Sequence, residues 1–243
     1  MIKTLFFDIY QTLLDVDIEQ KNKNKAWKVF ENYLISRGVH KTKAAKFNSY
    51  FDQAEENFYS KRSKILHHHD LIDNVYEVMQ NNYQISISDN EAKKLLWDFR
   101  QISCDFCNIY PGVKKTLSYL SKSYTLSTAS LGHKSIAERE LQKAGILKYF
   151  SYVNLTSNIG YRKGPRFFRE ILKLSGTKSS QAVMIGDNLQ DDIYNAKQEG
   201  MKTIWIRNPI TMLSKNVDVQ PDFSVDIQNF PEIISKVDVL NTR

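Results

Sequence analysis

The apolar run Leu5-Phe6-Phe7, which ends in the carboxylate of Asp8, is the feature that most constrains this chain. A short apolar run of this kind predicts a strand that is buried on both faces, as strands are in parallel sheets. Open α/β sheets bind ligands at the carboxyl ends of their strands, so we expect Asp8 at a ligand site. An aspartate there can act as a nucleophile, although alone it equally fits a turn after a core strand.

From residue 109 onward, predicted helices and strands alternate. Strands are predicted at 124–127, 152–155, 182–185, 203–206 and 223–225, and helices at 112–122, 133–143, 165–174, 190–198 and around 233. This alternation predicts an α/β fold with a Rossmann-like core, in which helices cover both faces of a mostly parallel sheet. We expect residues 1–15 and 109–243 to form that core.

Residues 16–108 show a helical pattern instead. Trp27, Phe30 and Leu34 recur at intervals of three and four residues, and a glycine at position 38 fits the end of that helix. Further helices are predicted at about 42–58, 71–81 and from 88 onward, and the segment contains no proline. The pattern predicts an all-α helical domain that is inserted after the first strand.

Charge and composition narrow the class of function. The formal net charge is +7, but the basic residues are scattered and no nucleic-acid-binding signature accompanies them. We therefore expect a small anionic substrate and no nucleic-acid partner. No apolar run is long enough to span a membrane, and no basic leader with an apolar stretch opens the chain, so a cytoplasmic protein is expected. Cys104 and Cys107 are interpreted as reduced thiols rather than zinc ligands. The oligomeric state stays open.

Polar residues follow four of the predicted core strands in an order that suits phosphoryl transfer. Asp8 would attack phosphorus, and Ser127 and Lys163 would stabilise the charge on the phosphoryl group. Asp187 and Asp8 supply the hard oxygen ligands that Mg²⁺ prefers. Asp192 would support this metal site or hold the lysine. The neighbouring Thr12 and Thr128 are predicted to bind substrate.

Together these motifs resemble the haloacid dehalogenase-like hydrolase superfamily over nearly the whole chain. The family pattern combines D-x-D-x-T-L after a strand, a Ser or Thr at a strand end, a Lys before a helix and G-D-x-x-x-x-D. The matching positions here are Asp8 to Leu13, Ser127, Lys163 and Gly186 to Asp192. The resemblance implies a Mg²⁺-dependent phosphatase that works through an aspartyl-phosphate, with residues 16–108 as a helical cap and the Tyr10 backbone carbonyl as a further metal ligand.

Tyr10 departs from the family pattern, because most phosphatases of the family carry a second Asp there to protonate the leaving group. A phenol, with an unperturbed pKa of about 10, is a poorer proton donor. With tyrosine at this position the chain resembles the metal-independent 2-haloacid dehalogenases, whereas with Asp187 it resembles the phosphatases. Two alternatives therefore stay open: a metal-independent dehalogenase, and a weakly active member that binds a phosphorylated ligand.

A basic, histidine-rich stretch lies inside the helical segment. His67, His68 and His69 are interpreted as a solvated link between helices rather than a metal site, since successive residues on a helix cannot face one ion together. The basic residues nearby are interpreted as a solvated face. As an alternative, they could help to recruit an anionic substrate; they are Lys61, Arg62 and Lys64.

Overall fold

The computed structural model describes residues 1–17, 21–62, 67–211 and 217–242. A six-stranded parallel sheet forms its centre. Its strands are β1 (Thr4–Phe7), β4 (Thr125–Ser130), β5 (Tyr152–Leu155), β6 (Ala182–Gly186), β7 (Lys202–Arg207) and β8 (Phe223–Asp226). They lie in the order β5-β4-β1-β6-β7-β8. The remaining strands, β2 (Leu14–Val16) and β3 (Cys107–Ile109), pair antiparallel as a separate ribbon.

The first strand is buried on both faces, as its apolar run predicts. Leu5 and Phe7 belong to the larger hydrophobic cluster on one face, whereas Phe6 packs with Phe167 and Phe168 on the other. Successive side chains of a strand point to opposite faces, so both sides of β1 need a covering layer. The prediction of an α/β fold with a parallel sheet is confirmed.

Helices supply the two covering layers. After the helical segment, the helices are α7 (Val113–Leu120), α8 (Lys134–Lys143), α9 (Thr156–Ile159), α10 (Pro165–Leu174), α11 (Asn195–Gln198) and α12 (Ile233–Thr242). Buried side chains of α7, α8 and α12 join the larger cluster, and those of α10 and α11 join the cluster on the opposite face. A π-helical turn, Leu189–Tyr194, leads into α11.

The helical segment has its own aromatic core. Its helices are α1 (Lys23–Ala26), α2 (Lys28–Ser36), α3 (Lys41–Ala44), α4 (Phe47–Ser60), α5 (Leu71–Tyr83) and α6 (Asp89–Ser103). The Trp27 ring lies within 4.5 to 6.1 Å, between centroids, of the rings of Phe47, Phe51 and Phe99. The predicted helical character is confirmed within the described residues, while the division into domains at residues 16 and 108 stays a prediction.

The β2–β3 ribbon was not predicted. It joins the two ends of the helical segment through pairs such as Leu14 with Ile109 and Val16 with Cys107. Three residues per strand give too little alternation of apolar and polar side chains to reveal a strand. In the described part of the chain, no helix combines the length and apolarity needed to cross a bilayer.

Candidate active site

The order of strands brings the ends of β1 and β6 to the centre of the sheet. The chain runs from β1 outward through β4 and β5, then returns to β6 on the other side of β1. Crevices at such a reversal of strand order bind ligands in open α/β sheets. Asp8 directly follows β1 and Asp187 directly follows β6, so both carboxylates lie at this reversal.

Lys163 joins the carboxylates of Asp8 and Asp192 in the buried centre of the site. Its Nζ donates to Oδ1 of Asp8 at 2.6 Å and also forms an ion pair with Oδ1 of Asp192. The lysine lies two residues before α10, and its backbone carbonyl accepts a hydrogen bond from Asn195. Burial opposes its positive charge, but the two carboxylates outweigh burial and raise the pKa of Lys163. It therefore stays charged at neutral pH.

Asp187 is held in place from two sides. Its Oδ1 accepts a hydrogen bond from the Thr12 hydroxyl at 2.8 Å, and its backbone carbonyl accepts one from the Trp205 indole. Burial, and then the charge of Asp8, raise the pKa of Asp187 to about 6. The predicted substrate ligand Thr12 thus contacts a neighbouring carboxylate, and its role toward substrate stays a prediction.

Both oxygens of Asp192 already have protein partners. Oδ1 pairs with Lys163, and Oδ2 accepts a hydrogen bond from the backbone N–H of Asn188 at 2.9 Å. A Cβ atom on Gly186 would clash with this carboxylate, so glycine permits the close approach. Asp192 is therefore better suited to hold the lysine than to hold a metal ion.

The carboxylate cluster fits a hard divalent cation. One oxygen each of Asp8, Asp187 and Asp192 lie within 4.8 Å of one another. Lys163 compensates Asp8 and Asp192, while the burial and raised pKa of Asp187 indicate a carboxylate with too little positive charge beside it. Carboxylate oxygens are the ligands that Mg²⁺ selects, so the donor set fits this ion.

The hydroxyl of Tyr10 is hydrogen-bonded to a buried ion pair. It donates to Oε2 of Glu140 at 2.7 Å, and Oε1 of Glu140 accepts from Nε of Arg100 at the same distance. Burial, and then Glu140, raise the pKa of Tyr10 well above its usual range. Sequence reasoning missed Glu140 and Arg100, because pairs that lie 130 and 40 residues apart leave no local signal.

Ser127 does not close its strand, and that part of the prediction is wrong. Strand β4 continues three residues further, to Ser130, and Ser127 pairs in register with Phe6 inside the sheet. The Ser127 hydroxyl contacts the carbonyl of Tyr152 and the side chain of Asn154, and that of Thr128 donates to the Asn154 carbonyl. Both hydroxyls therefore bind the neighbouring strand β5.

Ser130 stands at the position that the prediction gave to Ser127. It is the last residue of β4 and is fully buried, and its hydroxyl has no hydrogen-bond partner among the described residues. In the register of β1 with β4, Phe7 lies beside Thr128, so Ser130 lies at the level of the turn after Asp8. The Gly at 132, a natural signal for the end of a strand, marked this boundary in the sequence.

Two cavities open beside the site. The first, which we call the seam cavity, has a volume of about 530 Å³ and is lined by core residues such as Tyr10 and His133 and by Phe51, Phe99 and Arg100 of the helical segment. The second, the lysine cavity, has a volume of about 620 Å³ and is lined by residues that include Lys163, Gly164 and Asn195. Leu131 and Arg162 line both cavities.

The histidine stretch is not the solvated link that we expected. His68 is buried and its Nδ1 hydrogen-bonds the hydroxyl of Thr156 at 2.6 Å, while buried His69 hydrogen-bonds Asn74 through Nε2 at 2.7 Å. Lys61 and Arg62 are exposed, and Lys64 lies outside the described residues.

Comparisons with known proteins agree with this geometry. The model of the haloacid dehalogenase-like hydrolase family matches residues 7–206. Glyceraldehyde 3-phosphate phosphatase from Pyrococcus furiosus is 24% identical over 208 residues, covering 85% of this chain and 81% of the relative. The protein of that name from Methanothermobacter thermautotrophicus is 27% identical over 218 residues, covering 87% and 88%.

Solved structures share the fold over the full length. A 2-haloacid dehalogenase from Pseudomonas syringae pv. Tomato DC3000 superposes with a TM-score of 0.69 at 23% identity, covering 98% of this chain and 99% of that one. A haloacid dehalogenase (HAD) phosphatase from Thermococcus onnurineus gives a TM-score of 0.57 at 20% identity, covering 98% of both.

Proposed function

The chain belongs to the haloacid dehalogenase-like hydrolases, and from this premise we propose that it is a Mg²⁺-dependent phosphatase of the cytoplasm that acts on a small phosphorylated metabolite. One observation carries the proposal: the acidic side chain of Asp187 lies beside Asp8 in a buried cluster of three carboxylates and a single lysine. A divalent cation there would compensate the negative charge that Lys163 leaves. The phosphatase names of the relatives support the same reaction class.

Mg²⁺ would be held by Asp8, Asp187 and the backbone carbonyl of Tyr10, and would neutralise charge on the phosphoryl oxygens. Asp192 serves this site indirectly, by holding Lys163. Lys163 donates to one oxygen of Asp8 and thereby orients the carboxylate. The lysine also lies where it can stabilise negative charge on the phosphoryl group as the transition state forms.

The reaction then proceeds in two displacements. A carboxylate oxygen of Asp8 attacks phosphorus, the bond from phosphorus to the leaving oxygen breaks, and an aspartyl-phosphate forms. Water next attacks the same phosphorus, the bond to Asp8 breaks, and inorganic phosphate leaves with Asp8 restored. The Ser130 hydroxyl would donate to a phosphoryl oxygen, and its lack of a partner at the end of β4 among the described residues supports this role.

Protonation of the leaving group lacks an efficient acid in the proposed reaction. The hydroxyl of Tyr10 is committed to Glu140, and its raised pKa makes it a poor acid. We therefore infer that the departing alkoxide takes its proton from water, and that the enzyme favours esters whose leaving group has a low pKa.

Release of inorganic phosphate from a panel of phosphorylated metabolites tests the proposal. Wild-type protein with Mg²⁺ is expected to turn over at least one member, and Asp8→Asn is expected to abolish turnover. Asp226→Asn, which changes an exposed carboxylate paired with Arg207, is the matched control and should keep the activity. Turnover that persists in Asp8→Asn would refute the role of the nucleophile, while stabilisation by a phosphorylated ligand without turnover would favour a binding protein.

A second candidate function rests on Tyr10, because a tyrosine at this position makes the chain resemble the metal-independent dehalogenases. In that reaction an oxygen of Asp8 displaces halide from the carbon next to a carboxylate, and water then hydrolyses the ester. Halide release from 2-haloacids in the presence of a chelator would favour this function, whereas an obligatory metal ion would exclude it.

A further inference from the structure

Arg162 occupies a position in the site that the proposed reaction does not use. It directly precedes Lys163 and lines both the seam cavity and the lysine cavity. The guanidinium is thus shared by the cavity at Lys163 and the cavity that the helical segment lines. With the phosphoryl group held by Asp8 and Lys163, a leaving part that extends toward the helical segment would lie beside Arg162.

The guanidinium of Arg162 lacks an anionic partner in the described part of the chain. None of the ion pairs between described residues includes it, and its Nε is buried without a hydrogen-bond acceptor. Its contact with the Tyr59 side chain is to a neutral group. Arg162 is half-buried and has a free donor, so it favours binding of an oxygen anion. Guanidinium groups bind carboxylate and phosphate in a bidentate geometry.

The two histidines beside Arg162 add no charge to this wall of the cavity. His68 and His133 lie beside it with ring centroids 4.7 Å apart. Burial lowers the pKa of His68 to about 3 and that of His133 to about 4. Both imidazoles are therefore neutral at pH 7, and Arg162 is the fixed positive charge of this wall.

The rest of the seam cavity restricts where an anion can lie. Asp52 and Glu55 of α4 line the same cavity and would repel it. The cationic side chain of Arg100 already pairs with Glu140 at 2.7 Å. Aromatic side chains such as Phe51 and Phe99 suit an apolar part of the ligand.

We propose that Arg162 determines specificity by binding a second anionic group, a carboxylate or a second phosphate, on the leaving part of the substrate. This inference rests on the proposed phosphatase function. It narrows the substrate class to phosphate esters whose alcohol carries its own negative charge a few bonds from the ester oxygen.

Three esters that share one three-carbon skeleton test the inference. 3-Hydroxypropyl phosphate has a neutral end, 3-(phosphonooxy)propanoate ends in a carboxylate, and propane-1,3-diyl bisphosphate ends in a second phosphate. We expect wild-type kcat/KM to be higher for one or both of the charged-end esters than for the neutral one. The ester with the higher value identifies which anion is bound.

Arg162→Gln should lower kcat/KM for the preferred charged-end ester about 10- to 100-fold more than for 3-hydroxypropyl phosphate, since a hydrogen bond to a charged group contributes roughly 1.5–3 kcal/mol. Arg162→Lys should recover only part of the difference, because lysine keeps the charge but loses the planar fork. Arg166→Gln is the matched control: this exposed arginine stacks on Tyr161 and lines only the lysine cavity.

Two results would overturn the inference: equal wild-type kcat/KM for all three esters, or an equal loss on all three in Arg162→Gln with an unchanged melting temperature. Either would leave the phosphatase function intact. By contrast, no phosphate release from any ester in wild-type protein, over a wide panel, would remove the proposed function itself.

Discussion

The hydroxyl of Tyr10 and the carboxylate of Glu140 lie 2.7 Å apart, with the phenol as donor. Glu140 is 2% exposed and also binds Arg100, which reaches it from α6 of the helical segment. The loop that carries the nucleophile is thus connected to the helical segment through two hydrogen bonds to Glu140, of which the one from Arg100 is buried. The same contact occupies the phenol proton.

Replacing Tyr10 with aspartate should restore an acid where the family pattern has one. We expect Tyr10→Asp to raise kcat for unactivated alkyl phosphates about 10-fold or more, since a positioned general acid contributes roughly 10²–10⁴ in rate. The rate should also depend less on the pKa of the leaving group, measured over a series of alkyl and aryl phosphates. Tyr10→Phe, which supplies no acid, is the control.

Both variants should be less stable than wild type. Tyr10→Phe leaves Glu140 short of one hydrogen bond, which costs about 1–3 kcal/mol in the free energy of unfolding. Tyr10→Asp adds a like charge beside Glu140. A variant that keeps its fold yet gives no gain on alkyl phosphates would show that the missing acid does not limit the rate.

The ion pair between Arg100 and Glu140 should matter more for stability than any exposed pair. Arg100→Met leaves a buried carboxylate unpaired, and we expect a loss of about 3–5 kcal/mol in the free energy of unfolding. Arg169→Met, which breaks the exposed pair with Glu199, should cost less than about 1 kcal/mol. Adding Glu140→Gln to Arg100→Met should recover part of the loss in urea titrations. No recovery would mean that packing, not charge, dominates at this position.

Ser130 and Ser127 provide a matched pair within one strand. Ser130→Ala removes an unpartnered hydroxyl at the end of β4, and we expect kcat/KM to fall about 10- to 100-fold with little change in stability. Ser127→Ala removes a hydroxyl that accepts from Asn154, so it should reduce stability by about 1 kcal/mol and kcat/KM by much less. A larger fall in kcat/KM for Ser127→Ala than for Ser130→Ala would mean that Ser127, not Ser130, has the catalytic role.

These cases also show what the sequence can reveal. Asp8, Lys163 and Asp187 were predicted to converge because each follows a short apolar run or precedes a helix, and parallel strands bring such positions to one edge. Ser130 was missed because the end of a strand is set by hydrogen bonds with its neighbours, which lie more than a hundred residues away in the case of β1. The contacts of Tyr10 and the solitary charge of Arg162 likewise depend on tertiary packing that no local pattern records.

Removing one carboxylate from the cluster should remove the response to Mg²⁺. Wild-type protein is expected to gain stability with the metal, by about 2.7 kcal/mol at a concentration 100-fold above Kd. Asp187→Asn should lose that gain, and chelation should abolish phosphate release from wild type. Asp222→Asn, at an acid that hydrogen-bonds Thr203 away from the cluster, is the control for changes of net charge. A full thermal shift with Mg²⁺ in Asp187→Asn would place the metal elsewhere.

Acid should destabilise the wall of the seam cavity. Burial lowers the pKa of His68 to about 3 and that of His133 to about 4, below the value of about 6.5 in the unfolded chain. Between these values the unfolded chain binds protons that the folded chain does not, so each histidine lowers the free energy of unfolding as pH falls from 7 to 5. The expected loss is about 1–2 kcal/mol per histidine.

Other groups titrate over the same range, and Asp187, with its raised pKa of about 6, acts in the opposite direction. The informative quantity is therefore the difference in the free energy of unfolding between wild type and His133→Gln, measured by urea titration at pH 7 and at pH 5. As pH falls from 7 to 5, the free energy of unfolding of the variant should rise by about 1–2 kcal/mol relative to that of wild type. His40→Gln, at an exposed histidine, serves as the control. An unchanged difference at the two pH values would mean that His133 binds a proton as readily in the folded chain as in the unfolded one.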